Sequence, residues 1–163
     1  MDSPETYMEF ALTLAREAAA DGEVPVGCVI ADADGTVIGR GRNRREKSRS
    51  ALAHAEIEAI EEACRARGDW RLEGCSLYVT LEPCPMCAGA ILNARIRRLY
   101  YGRKDPSAGS CGSILNLFME NYGHEPEITG GVLREECVTI MDGFFGTLRK
   151  GKKEEGKKQA GKG

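Results

Sequence analysis

The segment Ser76-Leu-Tyr-Val-Thr-Leu-Glu-Pro-Cys-Pro-Met-Cys-Ala-Gly-Ala-Ile-Leu92 decides the fold of this chain. Its first six residues form a mainly apolar run, which predicts a strand. The residues after Glu82 predict a helix, because proline is tolerated at the first positions of a helix. The segment therefore predicts a strand, a tight turn and a helix in direct succession.

Helices and strands alternate on both sides of this unit. A helix is predicted before it, where apolar residues from Met8 to Ala20 recur at helical spacing between a capping Ser3 and a terminating Gly22. Two short strands follow, joined by a turn that contains Asp34-Gly35, a hairpin signal. The other predicted elements are helices over 54–67, 114–119 and 135–150, and strands over 96–101 and 127–133.

This alternation predicts an α/β protein with one mixed five-stranded sheet, whose first two strands (24–30 and 35–39) form an antiparallel hairpin. A chain of 163 residues that is 42% hydrophobic is long enough for one compact domain but not for two. We place that domain at residues 1–148.

Residues 149–163 differ from the domain in charge. They contain seven Lys or Arg and two acidic residues, so the remainder, with 16 basic and 23 acidic residues, has a net charge of −7. This basic tail has almost no apolar residues with which to offset the entropy of ordering. We predict that it is disordered.

The chain has neither a signal-peptide pattern nor an apolar run long enough to span a membrane, which predicts a cytoplasmic protein without a membrane partner. Seven cysteines, an odd number without an export signal, favour reduced thiols over disulfides.

Two motifs indicate a metal site, and each lies at a predicted helix start: His54-Ala-Glu56 and Pro83-Cys-Pro-Met-Cys87. Cys84 and Cys87 are three residues apart on one helical turn, so both sulfur atoms can reach one ion, and the positive end of the helix favours their thiolate forms. His54 supplies a third ligand. We predict that these three residues bind zinc.

Three protein ligands leave one tetrahedral position open, which is typical of catalytic zinc. Water in that position has a pKa of about 7, and a base must accept its proton. Glu56 lies two residues from His54 at the helix start, where it can lie beside the water without being a ligand. We therefore predict that Glu56 is the catalytic residue of a hydrolytic enzyme.

His-x-Glu followed by Pro-Cys-x-x-Cys is the signature of zinc-dependent cytosine and adenine deaminases. The chain resembles bacterial tRNA-specific adenosine deaminases, within the cytidine and deoxycytidylate deaminase superfamily, over residues 5–148. The segments that carry the resemblance are Glu23-Val-Pro-Val-Gly27, Arg42-Asn-Arg44, Ala53-His-Ala-Glu-Ile57, Leu77-Tyr-Val-Thr-Leu-Glu-Pro-Cys84 and Met86-Cys-Ala-Gly-Ala90.

The resemblance implies a three-layer α/β/α cytidine-deaminase-like fold, a homodimer and one zinc ion per subunit. It also implies deamination of the wobble adenosine (position 34) to inosine in the anticodon stem-loop of an arginine tRNA, with release of ammonia. Glu56 then moves protons from the water to N1 of adenine and to the departing amino group. The same resemblance places Asn43 against the nucleoside, Val26 along the base pocket and Asp105 near the RNA backbone.

An acidic domain is unusual for a protein that binds RNA, because neutralised phosphates supply much of the affinity. Local basic clusters can compensate for it. One flanks Asn43 and the other surrounds Asp105: Arg42, Arg44, Arg45, Lys47 and Arg49, and then Arg95, Arg97, Arg98, Arg103 and Lys104.

Three alternatives remain at this stage. Cys84 and Cys87 alone also fit a thioredoxin-like redox site, which has no need of His54 or Glu56. A non-catalytic zinc module that binds nucleic acid would use Cys64, Cys75 or Cys111 as a fourth ligand. A deaminase of a free nucleobase or nucleotide, such as guanine or cytosine, would use the same zinc chemistry with another pocket.

Overall fold

The structure, a computed structural model, describes residues 2–160 of the chain and the side chains of residues 2–156. Its helices are α1 (Pro4–Ala20), α2 (Ala55–Arg67), α3 (Pro85–Asn93) and α4 (Arg134–Ala160), with a short 3-10 helix at Leu117–Met119. Its strands are β1 (Gly27–Ala31), β2 (Val37–Arg42), β3 (Ser76–Leu81), β4 (Arg98–Arg103) and β5 (Glu127–Thr129).

The five strands form one mixed sheet in the order β2-β1-β3-β4-β5. Strand β1 pairs antiparallel with both β2 and β3, whereas β3, β4 and β5 are parallel to one another. The predicted α/β class, the mixed five-stranded sheet and the antiparallel first hairpin are confirmed.

Helices cover both faces of the sheet. Cys28, Ile30 and Val79 alternate along the strands with Val29 and Tyr78, so successive side chains enter different cores. The first set packs with α2 and α3, and the second packs with α1 and α4. The predicted three-layer α/β/α architecture is therefore confirmed.

Helix α2 packs unusually close to β2 because two glycines face it. A β-carbon built at Gly41 would overlap the carbonyl oxygen of Ala55, and one built at Gly39 would overlap that of Ala59. Any side chain at these positions would push the helix away from the sheet. The two glycines therefore fix the depth of the first turn of α2, which contains Glu56.

The sheet topology places several chain segments at the same edge. The carboxyl ends of β2, β3 and β4 meet the amino end of β1 there, since Gly27 pairs with Arg42 and Leu81 pairs with Arg103. The turn after β3 and the loop after β4 are joined directly, because the Glu82 amide donates a hydrogen bond to the Arg103 carbonyl oxygen. This edge lies beside the starts of α2 and α3.

Two elements are shorter than predicted, because the helix predicted over 114–119 is a 3-10 helix at Leu117–Met119 and the strand predicted over 127–133 is Glu127–Thr129. Two others are longer. Strand β2 continues to Arg42, three residues beyond its predicted end at residue 39, because it pairs with β1 as far as Arg42. Helix α4 continues to Ala160, beyond its predicted end at residue 150, and residues 161–163 of the predicted disordered tail lie outside the described residues. Residues 147–156 are exposed, so backbone hydrogen bonds rather than burial hold this part of the helix.

No helix in the described part of the chain is apolar enough over a sufficient length to cross a membrane.

Candidate active site

His54, Cys84 and Cys87 come together at the sheet edge described above. His54 is the N-cap residue of α2, Cys84 is the N-cap residue of α3, and Cys87 lies in the first turn of α3. His54 Nδ1 lies 3.7 Å from Cys84 Sγ and 3.5 Å from Cys87 Sγ. The structure thus brings the three predicted ligands into one cluster.

The geometry of this cluster fits zinc. Ligand atoms at about 2.3 Å (sulfur) and about 2.1 Å (nitrogen) from a tetrahedral ion would lie about 3.6 Å apart. The two measured nitrogen–sulfur distances are close to that value, and all three candidate atoms lie within 4.8 Å of one another. One imidazole and two thiols are also a donor set that zinc prefers.

The cluster has three members. Cys64, Cys75 and Cys111, the candidates for a fourth ligand in a closed structural site, are not part of the group that the described residues form. A three-ligand set leaves a coordination position for water or substrate, as catalytic zinc requires. This arrangement argues against the non-catalytic zinc module.

Hydrogen bonds within the cluster favour a thiolate. The Cys87 thiol and the His54 ring both interact with the Cys84 sulfur, and together they lower the pKa of Cys84 to about 4, although partial burial opposes the shift. A negatively charged sulfur atom is the form that binds a metal.

Glu56 lies beside the cluster in the first turn of α2. Its side chain is only 4% exposed. Burial raises the pKa of Glu56 to about 7, because removal from water disfavours the carboxylate. A carboxyl group with such a pKa can both accept and return a proton at neutral pH.

These groups open into one cavity of about 260 Å³. It is lined by Val24, Val26, Asn43, Arg45, His54, Ala55, Glu56, Leu81, Glu82, Cys84, Asp105, Ser107 and Ala108. Every residue that the sequence singled out for the site is in this set except Cys87, which is fully buried behind it. The volume is sufficient for a nucleobase.

Asn43 is held in place with part of its amide unused. Its Nδ2 donates to the Val24 carbonyl oxygen at 3.1 Å, and its Oδ1 accepts from the Arg45 amide at 3.1 Å. An asparagine amide has two N–H groups and two lone pairs on its oxygen. One N–H and one lone pair therefore remain for a ligand, and the predicted contact with the nucleoside stays a prediction.

Asp105 lines the cavity, and one of its carboxylate oxygens accepts hydrogen bonds within its own loop. Its Oδ1 accepts hydrogen bonds from the Ser107 amide at 3.0 Å, the Ser107 hydroxyl at 2.7 Å and the Ala108 amide at 3.3 Å. These bonds hold the turn at residues 105–108 in the cavity wall. The contact of Asp105 with an RNA backbone stays a prediction.

Glu82 holds the remainder of that loop. This carboxylate is 2% exposed and accepts hydrogen bonds from the amides of Asp105, Cys111 and Ser113 and from the Ser113 hydroxyl. Burial acts to raise the pKa of Glu82, but these donors prevail and hold it below its ordinary value. The loop that forms one side of the cavity is thus tied to the end of β3.

Glu23 holds the opposite wall in the same way. Its side chain is 2% exposed, and its two carboxylate oxygens accept from the amides of Glu46 at 3.0 Å and Lys47 at 3.1 Å. Sequence reasoning assigned no role to Glu23 or Glu82. The signal available for Glu82 was an acidic residue at the end of an apolar strand, next to a predicted metal ligand.

Comparisons with known proteins agree with this site. Residues 1–103 match the model of the cytidine and deoxycytidylate deaminase zinc-binding region. The chain is similar to the tRNA-specific adenosine deaminase of Bacillus subtilis (strain 168), with 47% identity over 154 residues, which cover 94% of this chain and 95% of that protein.

Two solved structures illustrate the range of the likeness. One comes from studies of A-to-I editing by tRNA:A34 deaminases at the wobble position of transfer RNA. It matches with a TM-score of 0.79 and 47% identity over 83% of this chain and 98% of that one. The other is a guanine deaminase from Nitrosomonas europaea, with a TM-score of 0.78 and 25% identity over 88% of this chain and 85% of that one.

We predict that Glu82→Gln destabilises the protein in a pH-dependent way. The variant replaces one acceptor oxygen with an amide that faces N–H donors, which costs about 1–3 kcal/mol. The folded state holds the pKa of Glu82 below its ordinary 4.5, so its carboxylate stabilises the fold above pH 4.5 and loses that effect as the pH falls through the folded value.

The measurement is urea unfolding of both proteins, stripped of metal, from neutral pH to acid. The difference in unfolding free energy between them should be greatest at neutral pH and should shrink in acid. A difference that stays constant across this range would contradict the role given to the carboxylate.

Proposed function

The chain belongs to the family of cytidine and deoxycytidylate deaminases with a zinc-binding region, and we propose that it converts the wobble adenosine (position 34) of a tRNA to inosine. The reaction is hydrolytic and releases ammonia. One observation carries this proposal: a cluster of three residues that fits zinc lies beside a buried carboxyl group, at a cavity large enough for a nucleobase.

His54, Cys84 and Cys87 are the residues that would hold the zinc ion. When bound there, zinc supplies a Lewis acid that lowers the pKa of a water molecule to about 7. His54 uses Nδ1 toward the two sulfur atoms. The starts of α2 and α3 present all three donors without a large rearrangement.

Glu56 moves the protons of the reaction. Its carboxylate accepts a proton from the attacking water and delivers it to N1 of adenine, which makes C6 more electrophilic. Once oxygen is bonded to C6, Glu56 accepts the second proton from that hydroxyl and delivers it to the amino group, which leaves as ammonia as the C6–N bond breaks. Burial raises the pKa of Glu56 to about 7, so both its protonated and its ionised form are available at neutral pH.

Val26 and Asn43 act on the nucleoside. The Val26 side chain gives the cavity an apolar wall against which a base can pack, and the free N–H and lone pair of Asn43 can bond to a base or sugar edge. Asp105 keeps the 105–108 turn in the opposite wall, at the side where the RNA backbone would pass.

A tRNA substrate is favoured over a free base by the extent of the likeness. The relative of Bacillus subtilis, named as a tRNA-specific adenosine deaminase, is 47% identical over nearly the whole of both chains, whereas the guanine deaminase is 25% identical. We further propose an arginine tRNA as the substrate and the cytoplasm as the place of action, in line with the resemblance set out above.

The substrate is tested by ammonia release. The purified zinc protein should deaminate an RNA stem-loop with adenosine at the wobble position, and should leave free adenine, guanine and cytidine largely unchanged. The stem-loop of an arginine tRNA should be the best of several tested. Turnover of guanine without turnover of the stem-loop would replace the proposal with a free-base deaminase.

Glu56→Ala tests the mechanism. We expect kcat to fall by about 10²–10⁴-fold, the usual contribution of a general acid–base group. Zinc content and the unfolding midpoint should change little, because Glu56 is not a ligand. In contrast, Cys84→Ser should lose zinc as well as turnover. A Glu56→Ala protein that keeps wild-type kcat would refute the proton-transfer role.

We propose that the protein forms a homodimer. Four large apolar side chains are exposed in one short stretch after the cavity loop, with exposures of 62% for Ile114, 44% for Leu115, 79% for Met119 and 58% for Tyr122. Large apolar side chains that are exposed close together in the sequence favour an interface here. Light scattering should give twice the 17.7 kDa of one chain, and Met119→Glu should shift the protein toward a monomer.

A further inference from the structure

We propose that Arg45 binds a phosphate group of the RNA at the mouth of the cavity, next to the target nucleoside. This inference rests on the proposed RNA substrate and deepens it. Of the described residues that line the cavity, Arg45 is the one lysine or arginine. It is also exposed at that position.

Three of the other four cations in the cluster that flanks Asn43 already have partners, and the fourth, Arg49, does not line the cavity. Arg42 pairs with Glu17 at 3.4 Å and Asp21 at 3.1 Å, and Lys47 lies 3.8 Å from Asp21. The salt bridges of this part of the chain also include Arg44 with Glu58 at 2.9 Å. Much of the basic cluster that flanks Asn43 is therefore neutralised within the protein.

Arg45 differs from them. Within the described residues, no carboxylate oxygen lies within 4.0 Å of its guanidinium, and the side chain donates no hydrogen bond to another group. Its five N–H donors are thus available to a ligand. A guanidinium can bind a phosphate through two parallel hydrogen bonds.

The backbone of Arg45 is fixed, although its side chain is not. Its amide donates to Asn43 Oδ1, its carbonyl oxygen accepts from the Ser50 amide at 3.1 Å, and the next amide along the chain is held by Glu23. Arg45 is therefore tied directly to the side chain proposed to contact the nucleoside. Binding a ligand would require ordering of the side chain but not of the loop.

The charge of the cavity explains why one cation there matters. Glu56, Glu82 and Asp105 all line it, so an RNA segment that enters meets three acidic groups. A base can pass these groups, whereas the phosphates that flank it are repelled. Arg45 offsets that repulsion at the point where the sugar-phosphate chain must turn toward the cavity.

The test measures RNA affinity against salt concentration. Each phosphate contact with single-stranded RNA adds about 0.7 to the slope of log Kd against log salt. In a Glu56→Ala background, which prevents turnover, we expect Arg45→Ala to lower the slope by about 0.7. The Kd for the wobble stem-loop in low salt should rise about tenfold, since hydrogen bonds to charged groups are worth that much.

Two variants act as controls. Arg16→Ala removes the same charge from an exposed position on α1, in the opposite helix layer, and should leave the slope unchanged. Arg45→Lys keeps the charge and should keep the slope, but it should recover only part of the affinity because it lacks the planar pair of donors. Zinc content and the unfolding midpoint should be the same in all of these proteins.

The outcomes separate this inference from the proposed function. Equal slopes for Arg45→Ala and its parent, or an equal fall in Arg16→Ala, would overturn the phosphate contact while leaving the deaminase proposal intact. If the wild-type protein released no ammonia from the stem-loop and the parent did not bind it, both proposals would fail.

Discussion

The close packing of α2 on β2 is the constraint on which the site depends. Gly39 and Gly41 allow the helix backbone to touch the sheet, which sets the position of Ala55 and thereby of its neighbours His54 and Glu56. Helix α3 follows β3 after three residues, so it starts at the same edge. The N-cap residues of the two helices, His54 and Cys84, are both candidate metal ligands, so the two helix starts define the cluster. The chemistry of the site follows from backbone packing rather than from any flexible loop.

The two loops that form the cavity walls are each held by one buried carboxylate. Glu23 binds backbone amides of the 43–50 loop, and Glu82 binds those of the 105–113 loop. A carboxylate can accept several N–H bonds at once, so one side chain orders several residues that have little regular structure. These buried carboxylates order the two loops. They also leave negative charge near the cavity, which is unfavourable for an anionic ligand.

The sequence predicted most elements and the cluster of His54, Cys84 and Cys87, because both depend on local patterns. Apolar periodicity found the strands, and the His-x-Glu and Pro-Cys-x-x-Cys spacings found the cluster. It could not find the roles of Glu23 and Glu82, since their partners are backbone amides up to 31 residues away in the chain. It also placed the end of the last helix too early. Low apolar content excludes burial but does not exclude a helix held by its own hydrogen bonds, as residues 149–160 are.

The charge distribution connects these points to substrate choice. A domain with a net charge of −7 and three acidic groups in its cavity has no general attraction for a polyanion. Of the five basic residues around Asn43, three are held in ion pairs with acidic residues of the same chain. RNA binding must then rely on few unpaired cations at fixed places, rather than on a broad basic surface. A broad basic surface would bind any RNA. A few unpaired cations at fixed places instead favour a strand whose phosphates contact them while one of its bases enters the cavity. The acidic domain is thus compatible with an RNA substrate, and its negative charge disfavours RNA strands whose phosphates do not meet these cations.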